Sequence, residues 1–231
     1  KSSKTKTKIM NNTFKVLPIK KHETYQWFLK KHYAKRIPQI IHCFGLYNSK
    51  NVLSGVISYA QPSSRTLMTG AFGGKYIDSF LELNRLVINE NLPKNTASFF
   101  IAKTFNLLPK PCPLVSYSDI NQGHNGYIYQ ATNWTYTGIT AKHIEWRIKN
   151  SNLANQTVTK LFEIDKIKND NQNFYKVERS RKHRYFQFLG TKKQKQEMKS
   201  NLSYDILPYP KGQNKRYDSS FSPSVQGILF A

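Results

Sequence analysis

Acidic residues are scarce in this 231-residue chain. Thirteen Asp+Glu stand against 36 Lys+Arg, a formal charge of +23. That imbalance calls for an anionic partner. Double-stranded DNA is the first candidate, because Lys and Arg contacts to phosphates release counterions and give sequence-independent affinity. Cysteine is scarcer still. Cys43 and Cys112 are too few for a disulfide scaffold and show no zinc spacing, so both are expected as core thiols in a reducing compartment. No apolar run approaches the roughly 18–20 residues needed to cross a bilayer. The first 21 residues are basic and polar, unlike a signal peptide. No membrane partner is expected. Aromatic residues are not lacking: 14 Phe, 14 Tyr and 3 Trp exclude a disordered polycation and supply a core. The length suits one domain with elaborations.

The pattern along the chain alternates strands and helices. Residues 1–13 read as a flexible basic arm. Phe14–Ile19 reads as a strand, and His22–Tyr33 as an amphipathic helix with Tyr25, Phe28, Leu29 and His32/Tyr33 on its stripe, stopped before Pro38. Two apolar runs, Gln39–Leu46 and Val52–Tyr59, flank the turn residues 47–51 and predict a hairpin. Glu82–Ile88 is a further strand. Thr96–Leu108 is a helix capped by Thr96 or Asn95, Leu114–Ser118 a short buried strand, Gly123–Asn133 a second helix and Trp134–Thr137 a strand. Antiparallel pieces followed by a crossover predict an α/β fold, a mixed sheet with helices on its faces. Leu86 and Leu114–Ser118 are expected in neighbouring parallel strands.

Beyond residue 150 the texture becomes polar and basic. Residues 14–150 are therefore the expected core, and 151–231 a basic extension packed on it. Arg179–Lys199 carries Arg181, Lys182, Arg184, Lys192 and Lys193, interleaved with Tyr185, Phe186 and Phe188. These residues are expected to touch DNA by charge and stacking, and His183 lies in the same run. His42, alternating within an apolar strand, reads as a core histidine.

Chemistry-bearing residues cluster in the middle of the chain. The helix opening at Thr96-Ala97-Ser98-Phe99 leaves amides able to bind a phosphate-bearing cofactor. Arg85, flanked by apolar residues, either pairs with Glu82 or Asp119 or grips an anionic substrate. His32 and Tyr33 point about 100° apart on a helix and converge on one site only where that helix ends. His124 either donates to a phosphate or caps the short helix.

Leu114–Asp119 followed by Gly123-His124-Asn125-Gly126-Tyr127-Ile128-Tyr129-Gln130 resembles the second half of the GNAT acyltransferase core. The resemblance implies Tyr129 as the acid that protonates a departing coenzyme A thiolate. Where GNAT enzymes carry a glycine-rich pyrophosphate loop, this chain has Pro93-Lys94-Asn95-Thr96-Ala97-Ser98. The fuller resemblance is to the phage Mom DNA-modification proteins. It spans about residues 14–145 and rests on His32-Tyr33 ahead of Arg36-x-Pro38, Glu82-Leu83-Asn84-Arg85-Leu86, Ser98-Phe99-Phe100-Ile101 and Tyr117-Ser118-Asp119 with Gly123-His124-x-Gly126-Tyr127-Ile128-Tyr129-Gln130.

That resemblance implies a divergent GNAT-like fold and a transferase acting on the exocyclic amine of adenine in DNA. The product would be a carbamoylmethyl-type derivative that protects phage DNA from restriction in the cytoplasm of a bacterial host. It further implies iron held by His32, Tyr33 and Asp119, with acetyl-CoA or a related small-molecule donor. Three rivals stand beside it: a GNAT N-acyltransferase on another substrate, a non-enzymatic basic DNA-binding protein, and a GIY-YIG-like nuclease. The last rests on Tyr127-Ile128-Tyr129 and Tyr136-Thr137-Gly138 with Arg147 and Glu163 downstream.

Overall fold

The computed structural model describes residues 13–151 and 155–212, without the side chains of residues 155 and 156. The expected basic arm, save Thr13, lies outside the described residues. Strand β1 (Phe14–Pro18) leads into a 3-10 turn (Lys21–Thr24) and a π-type turn (Trp27–Lys31). These two turns stand where one amphipathic helix was expected. The wider turn, with the His32 amide bonded to Trp27 O at 3.0 Å, rotates the buried face. Thr24, Trp27, Phe28, Lys31 and His32 are buried, whereas Tyr25 and Leu29 are exposed.

The hairpin forms as expected from β2 (His42–Asn48) and β3 (Leu53–Ala60), followed by α1 (Arg65–Gly70). Then come β4 (Leu81–Ile88), α2 (Thr96–Thr104) and β5 (Cys112–Asp119). A 3-10 turn (Ile120–Gln122) and the four-residue α3 (Tyr127–Gln130) replace the longer helix expected over 123–133. Glycines at 123 and 126, both with φ near +70°, break that stretch. At Gly126 nothing larger fits, since a Cβ would lie 2.5 Å from the Tyr185 ring.

β6 (Thr135–Ile139) is followed by an excursion: β7 (Ile144–Ile148), α4 (Asn155–Leu161), α5 (Ile164–Asn169) and β8 (Phe174–Glu178). β7 and β8 pair only with each other. Val158, Ile167 and Phe174 form a small core beneath them. The chain then re-enters the main sheet as β9 (Lys182–Leu189) and ends its described helices with α6 (Lys192–Ser200).

The main sheet has the order β1-β2-β3-β4-β5-β9-β6. Residues 182–189, expected in an extension, are thus an interior strand of the core. Tyr185 and Phe186 are fully buried and Phe188 nearly so. They fill the two faces of the sheet and present no ring for a base to stack on. One face carries α2 and α3 over Leu81, Leu83, Leu114 and Tyr185. The other is covered by Trp27 and Phe28 at one end and by Phe72 and Met198 at the other. Cys43 and Cys112 are buried free thiols, as expected. Among the described residues no helix is long and apolar enough to cross a membrane.

Candidate functional site

β4 and β5 run parallel, joined by α2, but pair only over Leu81–Leu83 against Leu114–Ser116. Beyond that point they part. Ser116 closes the last rung with its side chain: Ser116 Oγ donates to Leu83 O at 2.8 Å and lies 2.8 Å from the Tyr129 hydroxyl. The Tyr129 hydroxyl therefore sits at the apex of the split. Burial raises its pKa above the ordinary phenol range.

A bulge in β4 shapes the opposite side. Ser58 pairs with Arg85 and Tyr59 with Leu83, leaving Asn84 as the extra residue. Bulges re-aim side chains beside them. Leu83 and Leu86 both pack on the α2 side, while Val87 packs with Trp27 and Phe28. Arg85, two residues before Val87, is thereby turned toward the His32 side. Asn84 is held by Ser58 Oγ at 2.6 Å and by its own bond to Gln39 O at 2.9 Å.

The parted strands open onto a cavity of about 620 Å³. Of the residues singled out in the sequence, it brings together His32, Tyr33, Arg85, Thr96, Ala97, Ser98, Asp119, His124 and Tyr129. Phe99 is not on its wall; it packs against Phe14, with ring centroids 6.5 Å apart. Tyr117, from the same motif as Asp119, lines the cavity as well, and so do Lys31 and Glu90, which nothing in the sequence marked. Lys31 hid inside a basic run, and only its burial distinguishes it.

One wall is the start of α2. Asn95 holds the N-cap position with φ 72° and no side-chain cap. The Thr96 amide bonds to Pro93 O and the Phe99 amide to Asn95 O. Among the described residues the amides of Ala97 and Ser98 have no backbone acceptor. A helix N-terminus of this kind favours an anion.

The other wall holds the titratable groups. Lys31 is the last residue of the π-type turn and His32 has extended backbone, so the helix ends where sequence reasoning required it to. The His32 and Tyr33 rings lie 4.3 Å apart, and His124 meets Tyr33 edge-on at 6.4 Å. Burial, then Arg85, Lys182 and His124, push the His32 pKa down to about 3, so the imidazole is neutral. Its Nδ1 accepts the Ala34 amide at 3.0 Å, so the neutral ring carries its proton on Nε2, a hydrogen-bond donor. Burial and then Asp119 raise the Tyr33 phenol, with Arg85 opposing.

Arg85 donates from Nη1 to Asn84 O at 2.7 Å, and its buried Nε has no partner among the described residues. Asp119 caps the 3-10 turn by accepting the Asn121 amide at 3.0 Å on Oδ1. His124 caps neither helix, because Asp119 and Gly126 occupy the two cap positions; its ring faces Tyr33 instead.

The residues expected at DNA divide. Lys192 and Lys193 are exposed on α6. Arg181 is half-buried, with Nε donating to Thr140 O at 2.9 Å. Lys182 is half-buried among Arg179, Asp119, Glu82 and Arg85, and burial lowers its pKa. Arg184 is committed to the fold: it donates to Thr137 Oγ1 and Thr137 O and stacks 3.5 Å over the Tyr204 ring. His183 is buried and bonded to the Tyr136 hydroxyl at 2.8 Å, so it does not reach a phosphate. The nuclease pattern also dissolves. Tyr127–Tyr129 is helical, Arg147 lies in β7, Glu163 precedes α5, and neither Arg147 nor Glu163 touches the cavity.

No group of three or more His, Cys, Asp or Glu able to hold a metal occurs among the described residues. The His32–Tyr33–Asp119 set is of another kind, with a phenol oxygen as its third donor. The donor types are those iron takes, an imidazole, a phenol and a carboxylate with one oxygen uncommitted, but His32 could ligate through Nε2 only by giving up the Ala34 contact that holds its proton there.

Where the parallel pair parts, one cavity joins the wall at the start of α2 to the wall of titratable groups. The chain belongs to the Mom protein family, which matches residues 13–211. Among solved structures it is similar to a GNAT-family acetyltransferase from Bacillus cereus, with 9% identity, 77% of this chain and 99% of that chain covered and a TM-score of 0.41. It is similar as well to a spermidine N-acetyltransferase from Vibrio cholerae, with 8% identity, 77% and 94% covered and a TM-score of 0.44. A Salmonella typhimurium protein described as an acetyltransferase, solved with its cofactor acetyl-CoA, gives 8% identity, 78% and 95% covered and a TM-score of 0.45. No curated protein matches.

Proposed function

We propose that this protein transfers a carbamoylmethyl-type group to the exocyclic amine of adenine in double-stranded DNA, protecting phage DNA from restriction in the cytoplasm of the bacterial host. Membership of the Mom family supports the reading. The observation that carries it is the single cavity reaching from the α2 N-terminus to His32, Tyr33 and Asp119 across the parting of β4 and β5.

Each wall has a task. The open amides at Ala97 and Ser98, with Thr96 beside them, receive the phosphates of a donor related to acetyl-CoA; acetyl-CoA itself would leave an acetyl group, so the carbamoylmethyl-type product requires a donor that already bears that group. The reacting end of that donor reaches the apex, where Tyr129 gives its proton to the departing group. A phenol with a raised pKa is protonated at neutral pH and so holds the proton that the departing group takes up. The adenine amine enters from the other wall. The Asp119 carboxylate takes the amine proton through Oδ2, Nε2–H of neutral His32 donates a hydrogen bond to the base, and Arg85 holds the developing negative charge. His124 and Tyr33 flank the base.

An amine inside a duplex is only partly exposed, so the base leaves the stack to reach this depth. His32, Tyr33 and Asp119 are the residues that would hold iron, which supplies a Lewis-acidic or redox centre when bound. Arg181, Lys182, Lys192 and Lys193 supply charge toward the phosphates. The test is to co-express the protein with plasmid, digest the DNA and weigh its nucleosides. A modified deoxyadenosine is expected; unmodified deoxyadenosine from cells holding folded protein rejects the reading.

A further inference from the structure

Asp119 has a second partner that its own loop does not supply. Ser180, 61 residues away in sequence, donates a hydrogen bond from Oγ to Asp119 Oδ1. The Asn121 amide lands on the same oxygen at 3.0 Å. With Oδ1 taken twice, Oδ2 is the oxygen left for the cavity. The backbone there needs no such help. Asp119 is already paired with Lys182 in the β5–β9 ladder, and the Ile120 amide bonds to Arg181 O at 3.2 Å. A capping aspartate, for its part, needs only the Asn121 amide.

Ser180 stands on the return limb of the β7–β8 excursion. The outgoing limb meets it at Thr140, which accepts from Arg181 Nε at 2.9 Å and from the Lys182 amide at 3.0 Å. Two amino acids upstream lies Glu178, the last residue of the outer sheet. The excursion therefore ends in a hydroxyl aimed at a cavity-lining carboxylate.

We infer that Ser180 is a positioning residue: its hydroxyl fixes the rotation of the Asp119 carboxylate so that Oδ2 alone is presented toward Tyr33 and His124. The inference rests on the proposed role of Asp119 in the transfer. Groups that orient a functional carboxylate cost about 10–100-fold when removed, although they touch no substrate.

The experiment compares wild type with Ser180→Ala and Ser180→Thr. Modified deoxyadenosine is measured over a range of plasmid concentrations, together with thermal midpoint and crystal structure. Ser180→Ala is expected to lower the saturating rate about 10–100-fold. Its half-saturating DNA concentration and thermal midpoint should stay near those of wild type. Ser180→Thr, which keeps the hydroxyl, should recover most of the rate. In the Ser180→Ala crystal the Asp119 carboxylate should be rotated or in more than one conformer.

An unchanged rate, or a loss that threonine does not recover, overturns the inference. An Asp119 carboxylate that keeps its single orientation in the alanine variant overturns it too. Should wild type itself leave plasmid adenine unmodified, the adenine reading falls and the crystal comparison decides the Ser180 inference by itself.

Discussion

Lys31 Nζ lies 2.5 Å from Glu90 Oε2, joining the turn that carries His32 and Tyr33 to the loop leading into α2. The lysine side chain is 2% exposed and the glutamate 24%. The two walls of the cavity are thus tied by one charged contact. Removing one member of a fully buried pair costs roughly 3–5 kcal/mol. Partial exposure of Glu90 reduces this, and Lys31→Met is expected to cost about 1–3 kcal/mol in urea unfolding. Lys31→Met with Glu90→Leu should recover part of that loss. A double variant no more stable than the single one would show that the pair is not what holds the walls.

Tyr129→Phe separates chemistry from folding. The lost hydroxyl meets Ser116 and, at 3.4 Å, Tyr117 O, so stability should fall by about 1 kcal/mol. Modification of deoxyadenosine should drop roughly 100-fold or more if the phenol is the acid. Undiminished modification would remove Tyr129 from the reaction.

Glu82 gives the protein a pH dependence of definite sign. Burial pushes its carboxyl up to about 7, against the opposing pull of Lys182, Arg85 and Arg179. The unfolded chain releases that proton near pH ~4.3. Between about pH 4.3 and 7 the native state therefore holds a proton the unfolded state has lost, and stability falls as pH rises through that window. The whole effect is on the order of 3 kcal/mol. Glu82→Gln should be more stable than wild type by about 2–3 kcal/mol at about pH 8 and indistinguishable at about pH 4. A gap that does not widen with pH would reject the assignment.

Arg184 and the α6 lysines should behave oppositely. Arg184→Ala removes two hydrogen bonds and the stack on Tyr204, so stability should fall by about 2 kcal/mol. Charge reversal of exposed Lys192 and Lys193 should leave unfolding unchanged. It should flatten the salt dependence of DNA binding by about one unit of log–log slope for every phosphate the protein no longer neutralises. Gel retardation at several salt concentrations reads this directly, and an unaltered slope would take α6 off the DNA.

The first six strands were legible because each alternates or runs apolar between clear turn residues. Val52–Tyr59 and Leu114–Ser118 are examples, buried on both faces as their composition required. The stripe of the first helix was misjudged by geometry rather than by residue type. A π-type turn adds a residue to the cycle, so the stripe falls on Trp27 and Lys31 in place of Tyr25 and Leu29. β9 was missed because its first residues are Lys182, His183 and Arg184. The β-forming run Tyr185–Leu189 behind them was read as aromatics offered to bases, when burial on both faces was the reason for it. The cavity was legible as a set of residues, since most came from motifs with fixed spacing. Ser180 and Lys31 were invisible, for their roles depend on partners 61 and 59 residues away.

The place of β9 also governs how the chain can come to be folded. It lies between β5 and β6, yet it is made last of the seven, after the whole β7–β8 excursion. Until it arrives, β5 and β6 have no partner on their facing edges, and open strand edges invite pairing with other chains. A fragment cut near residue 150, where the composition changes, would be left with that gap between β5 and β6. Such a fragment should aggregate, whereas supplying residues 151–212 as a separate peptide would offer it the missing strand.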